Sequence, residues 1–99
     1  MPRCPVKQPN GKMAVWSTIV DDFTDYDCDA IELVQVLRRG PQTYTPAEIG
    51  QALANIADNG KAWRWAPDFD GAMETIRAIH GDEKHAERVA MFEEGTATK

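Results

Sequence analysis

The segment that most constrains this chain is its start. Pro9-Asn10-Gly11 is a turn signal in which proline presets φ and glycine accepts φ > 0 without steric cost. An apolar-rich run lies on each side. The spacing predicts a β-hairpin with strands at residues 3–8 and 12–17 and a three-residue loop with Gly11 at a bulge position. Pro5 cannot donate a ladder hydrogen bond, so the first strand belongs at an edge. A lone hairpin is marginal in water. The rest of the chain must supply a third strand, a helix layer, or both.

Helix signals follow. Asp29 with Glu32 has capping-box spacing, and Ile31, Val34 and Leu37 form one face that Leu33 and Val36 widen. Arg38 and Arg39 suit the C-terminal end of the helix dipole, and Gly40-Pro41 stops the element. Thr45-Pro46-Ala47-Glu48 combines a second capping box with proline at the first helical position. Ile49, Leu53 and Ile56 continue it, supported by Ala52 and Ala57, and Asn59-Gly60 ends it. Asp68 or Asp70 caps a third helix with the stripe Phe69, Ala72, Met73, Ile76 and Ile79. Gly81 breaks it, and Asp82-Glu83 opens a fourth helix running through Glu94, with Ala86, Val89 and Ala90 inward and a frayed tail at 95–99.

Two stretches lack such signals. Residues 18–28 read as an irregular acidic loop that sends Ile19, Val20 and Phe23 into the core. Lys61-Ala62-Trp63-Arg64-Trp65-Ala66 alternates, which puts both tryptophans on one face of an extended segment and offers a third strand to the hairpin. With 99 residues, two separate cores would each be too small to hold. The expectation is one α+β domain, residues 1–99: a small antiparallel sheet packed against three or four helices.

Charge and cysteines bound the function. The net charge is −5, without the basic footprint that free nucleic acid requires. No apolar run reaches the ~20 residues of a membrane span. Cys4 and Cys28 are too few for a disulfide-built scaffold; one bridge between them fits the expected elements, but the reading is two reduced thiols in a cytoplasm. The charge is also uneven: residues 1–20 carry +3, 21–32 carry −6 and 33–99 carry −2.

Asp21, Asp22, Asp25, Asp27, Asp29 and Glu32 admit three readings. Asp25, Asp27 and Asp29 match the first three ligand positions of a calcium loop, yet Ala30 stands where that loop needs glycine and Val36 where it needs a bidentate acid. A solvated loop with capping aspartates is the second. The third is a surface for a basic partner, steered by charge. Asp29 is assigned to capping. Trp63 and Trp65 are either core cover or apolar anchors at an interface, with Arg64 solvated on the opposite face. No catalytic motif or cofactor signature assembles. His80 and His85 lie about 140° apart on a helix, in no zinc pattern with cysteine, and a Cys28–His80 pair has no spacing to support it. A helix-turn-helix starting at Thr45 would read DNA with only Lys61 and Arg64.

Gln8-Pro9-Asn10-Gly11-Lys12, followed by Ala14-Val15-Trp16-Ser17-Thr18-Ile19-Val20-Asp21-Asp22-Phe23, resembles short phage and prophage accessory proteins of unassigned function, over about the first third of the chain. Such proteins include anti-CRISPR inhibitors. The resemblance implies a binding protein in a bacterial host's cytoplasm that blocks a host machine, a CRISPR effector for example, at its basic nucleic-acid-binding surface. The residues expected to carry this are Asp21, Asp22, Asp25, Asp27 and Glu32, with Trp63 and Trp65 as anchors. The alternative is a phage structural or assembly protein, a homodimer through the Trp63-Arg64-Trp65 segment; a DNA-binding regulator ranks below both.

Overall fold

A computed structural model describes residues 3–39 and 44–97. Their order is β1 (Arg3–Lys7), β2 (Met13–Ser17), β3 (Asp22–Cys28), α1 (Ala30–Leu37), α2 (Pro46–Asn59), α3 (Phe69–His80) and α4 (Asp82–Ala97). The hairpin forms as its turn dictates. Gln8 and Lys12 close it through a 2.8 Å backbone bond, Gly11 sits at φ 86°, and the pairs run from Arg3 opposite Ser17 to Lys7 opposite Met13.

The third strand is β3, not the alternating segment at 61–66, which is a series of bends and turns. The sheet is an antiparallel meander in the order β1-β2-β3. Phe23 and Cys28 are buried in β3, on clusters that lie against opposite faces. Pairing with β2 slips twice, between Val15 and Trp16 and between Met13 and Val15, so β3 carries two extra residues. Bulges of this kind twist an edge away from further pairing, and the acids along β3 add charge to the same protection.

The sheet is covered on both faces. Ala14 and Trp16 of β2 point into one cluster with Cys4, Val6, Phe23, Ile56, Met73, Ile76 and Phe92; Val15 points into the other with Cys28, Leu33, Val36, Leu37, Tyr44 and Ile49. Thus α1 lies against one face, α3 and α4 against the other, and α2 gives Ile49 to one cluster and Ile56 to its opposite. Four aromatic rings anchor the larger cluster: Phe92 meets Phe23 and Phe69 edge-on with centroids 5.0 Å away, and Trp16 meets Phe23 at 5.1 Å.

Both capping boxes form, at Asp29/Glu32 and Thr45/Glu48, and Asp68 rather than Asp70 caps α3. The Gly40-Pro41 stop lies outside the described residues. Several expected inward positions face water instead. Ile19 is 75% exposed, Val20 52%, Ile31 70% and Ile79 57%. In α4, Ala86 and Ala90 are exposed and Phe92 is the buried anchor, with Val89 half-buried; the helix also continues past Glu94 to Ala97. The periodicity named the correct face of each helix, but the sheet is only three strands wide and covers part of that face. Cys4 and Cys28 are free and lie in different clusters, so no bridge joins them. No helix among the described residues is long and apolar enough to cross a membrane.

Candidate functional site

The structure takes the acidic segment apart residue by residue. Asp22 makes a two-bonded pair with Arg88 of α4, at 2.9 and 2.7 Å, with Lys84 at 4.0 Å. The Arg88 guanidinium holds its carboxyl below the ordinary aspartate range, against the opposing effect of partial burial. Asp27 adopts a left-handed φ of 55° within the second bulge. Gln8 and Asn10 of the β1–β2 turn support it there: their amides donate to Asp27 Oδ1 at 2.9 and 3.1 Å, and the Asp27 amide donates to Gln8 Oε1 at 2.6 Å. Gln8 itself is only 2% exposed. Asp29 and Glu32 exchange the two bonds of the α1 capping box. Asp25 receives only the hydroxyl of neighbouring Thr24. Among the described residues no group of three His, Cys, Asp or Glu side chains is placed to hold a metal ion.

Asp21 belongs elsewhere. It sits at φ 51° in the β2–β3 turn, where the His80 Nε2–H donates to the carbonyls of Val20 and Asp21 at 2.9 and 3.1 Å. The C-terminal end of α3 therefore holds the turn in place. His80 is at the Asp22 end of β3 and Cys28 at the other, so the two do not form a pair.

The tryptophans separate as well. Trp63 is half-buried against both clusters, stacked on Tyr44 at 2° and 6.4 Å, with its indole N–H 3.4 Å from the Tyr44 hydroxyl. Tyr44 in turn donates to the Arg3 carbonyl, and the Arg3 guanidinium donates to the carbonyls of Val36 and Arg39 at the end of α1. Trp63 is a structural strut. Trp65 is 47% exposed and lines a cleft of about 450 Å³ with Lys61, Arg64, Thr18, Asp21 and Thr75. The buried residues Ala62 and Ala66 pin the segment at either end, which lets the side chains between them diverge.

The exposed apolar residues belong to the same region. Ile19 and Val20 follow Thr18 directly, and Ile79 lies one helical turn beyond Thr75 on the same face of α3. Trp65, Ile19, Val20 and Ile79 thus come from three parts of the chain to one end of the molecule. Of the residues singled out from sequence, the fold brings together only Asp21 and Trp65 there. Asp22, Asp27 and Glu32 hold elements in place, and Asp25 stands on the β3 edge. Sequence reasoning missed Ile19, Val20, Ile79, Lys61 and Arg64 as site residues. One signal was available: Ile19-Val20 is an apolar pair in a segment otherwise written as a turn. No protein family, curated protein or solved structure matches the chain.

Proposed function

We propose that this chain is a protein-binding module that docks through the end bearing Trp65, Ile19, Val20 and Ile79. The observation that carries the reading is the convergence of these four large apolar side chains, all about half exposed or more, around one open cleft. Scattered apolar residues on a surface mean little, whereas a grouped set with an exposed tryptophan has the composition of an interface centre. The fold holds the surface rigid: His80 fixes the turn, Ala62 and Ala66 fix the tryptophan segment, and α3 is packed through Ala72, Met73 and Ile76.

A narrower second reading is the inhibitor of a host machine, such as a CRISPR effector, that occupies a basic nucleic-acid-binding groove. It rests on the phage-like first third of the chain and on carboxylates free of structural duty. Asp25, with Asp21 at the cleft, supports it.

The two readings separate in one experiment. The full chain and two surface variants, Trp65→Ala and Asp25→Asn, are compared for the partner each captures from host cells. Loss of the partner with Trp65→Ala and its retention with Asp25→Asn is the expected result. The reverse pattern transfers the interface to the acidic edge.

A further inference from the structure

Resting on the docking face just described, we infer that the cleft beside Trp65 takes an acidic peptide segment bearing an apolar anchor side chain. The charge of this chain as a whole points the other way, toward a basic partner, but the local arrangement does not. Lys61 and Arg64 line the cleft, and neither has an ion pair among the described residues. Every other feature of the cleft is apolar, neutral or already used. The Asp68 carboxylate accepts from the Gly71 amide at 2.7 Å as the cap of α3, and Thr75 donates back to the Gly71 carbonyl at 3.0 Å. Asp21 stands on the turn, opposite in the fold to the 61–66 segment that carries the two cations.

The cleft therefore has a cationic wall next to an indole. Its volume lies in the lower part of the range of ligand sites, about 300–1,000 Å³, which suits one or two side chains and not a folded surface. The anchor lies against Trp65 and the apolar rim of Ile19, Val20 and Ile79. A carboxylate beside the anchor meets Arg64, whose planar fork matches carboxylate geometry, and Lys61 adds a point charge. The acids at the far end of β3 oppose this only weakly. Six residues of strand separate Asp22 from Cys28, roughly 20 Å, against a Debye length of about 8 Å at physiological salt.

Three ten-residue peptides test the inference, each with the same central Leu-Phe anchor flanked by glutamates, glutamines or lysines. Each is titrated into the isotope-labelled full chain while the Trp65 indole N–H and the amides of Ile19, Val20 and Ile79 are followed by NMR. The glutamate peptide is expected to bind about three- to tenfold tighter than the glutamine one, the contribution of two exposed ion pairs. That preference disappears in the double variant Lys61→Gln/Arg64→Gln, whose unchanged amide pattern elsewhere shows that it is folded. Equal binding of the glutamate and glutamine peptides, or tighter binding of the lysine peptide, overturns the acidic partner while leaving the docking face standing. Shifts of Trp65 that depend on protein concentration without peptide make a second copy the occupant and overturn it too. If no peptide moves Trp65 at millimolar concentration, the docking face falls with it.

Discussion

Single residues decide how the acidic segment is tolerated. The carboxyl of Asp22 is held low by Arg88, so the unfolded chain takes up this proton before the folded one does. The pair therefore contributes fully above the ordinary aspartate pKa of about 3.9, and its contribution fades as pH falls through the lowered folded value. Arg88→Ala is expected to cost about 1–2 kcal/mol at pH 7, roughly 5–10 °C in Tm for a domain of this size, and the gap to the parent should close toward pH 2. A gap that stays constant with pH would remove the pair as its cause. Gln8 is the second such residue. Its amide satisfies both the Asp27 carboxylate and the Asp27 amide in a backbone conformation that few residues adopt. Gln8→Ala should cost about 2 kcal/mol in denaturant titration, because it strands a partly buried N–H. The cysteines are passive. Burial pushes the Cys4 thiol up to about 12 and raises that of Cys28, whose acidic neighbours push the same way. Neither should react with a thiol reagent at pH 8 until denaturant is added, and a fast-reacting thiol in the native protein would contradict the packing.

At the scale of elements, local chemistry was legible and tertiary chemistry was not. The turn at Pro9-Asn10-Gly11 and the capping boxes at Asp29/Glu32 and Thr45/Glu48 act within four residues, so the sequence alone places them. β3 was invisible for the opposite reason. Three aspartates in seven residues have poor strand propensity, and what makes them a strand lies far away, in Arg88 and Gln8. The candidate site was half legible on the same grounds. Trp65 and Asp21 stood out by type, whereas Ile19, Val20 and Ile79 obeyed a core pattern that three strands are too few to complete. The exposure of Ile79 gives a direct check. Ile79→Asp should change stability by no more than about 0.5 kcal/mol, while Ile76→Asp, one turn away and fully buried, should prevent folding. Equal damage from both would place Ile79 in the core. Glu32→Gln offers a matching check, since glutamine also completes a capping box: stability should hold while a charge is lost.

For the whole molecule, the radius of gyration of 12.8 Å matches the ~13 Å of a compact 100-residue domain, which leaves the Trp65 end as surface. The docking reading expects a monomer of 11.0 kDa in sedimentation, for the parent and for Trp65→Ala alike. A dimer that Trp65→Ala dissociates would instead make this end a self-interface. The meander has a further consequence, in the order of synthesis. All three strands lie within residues 3–28, and they leave the ribosome before any helix exists to cover them. Ala14, Val15 and Trp16 of the central strand are apolar toward both sides, so the nascent sheet is unprotected on each. The α1 side closes early, with Leu33, Val36 and Leu37; the other waits for Phe92, near the end of translation. At about 5–20 residues per second, the chain spends several seconds with one greasy face open. A stall before Phe92 should therefore yield a half-covered sheet that holdase chaperones bind, and release to Phe92 and beyond should free it.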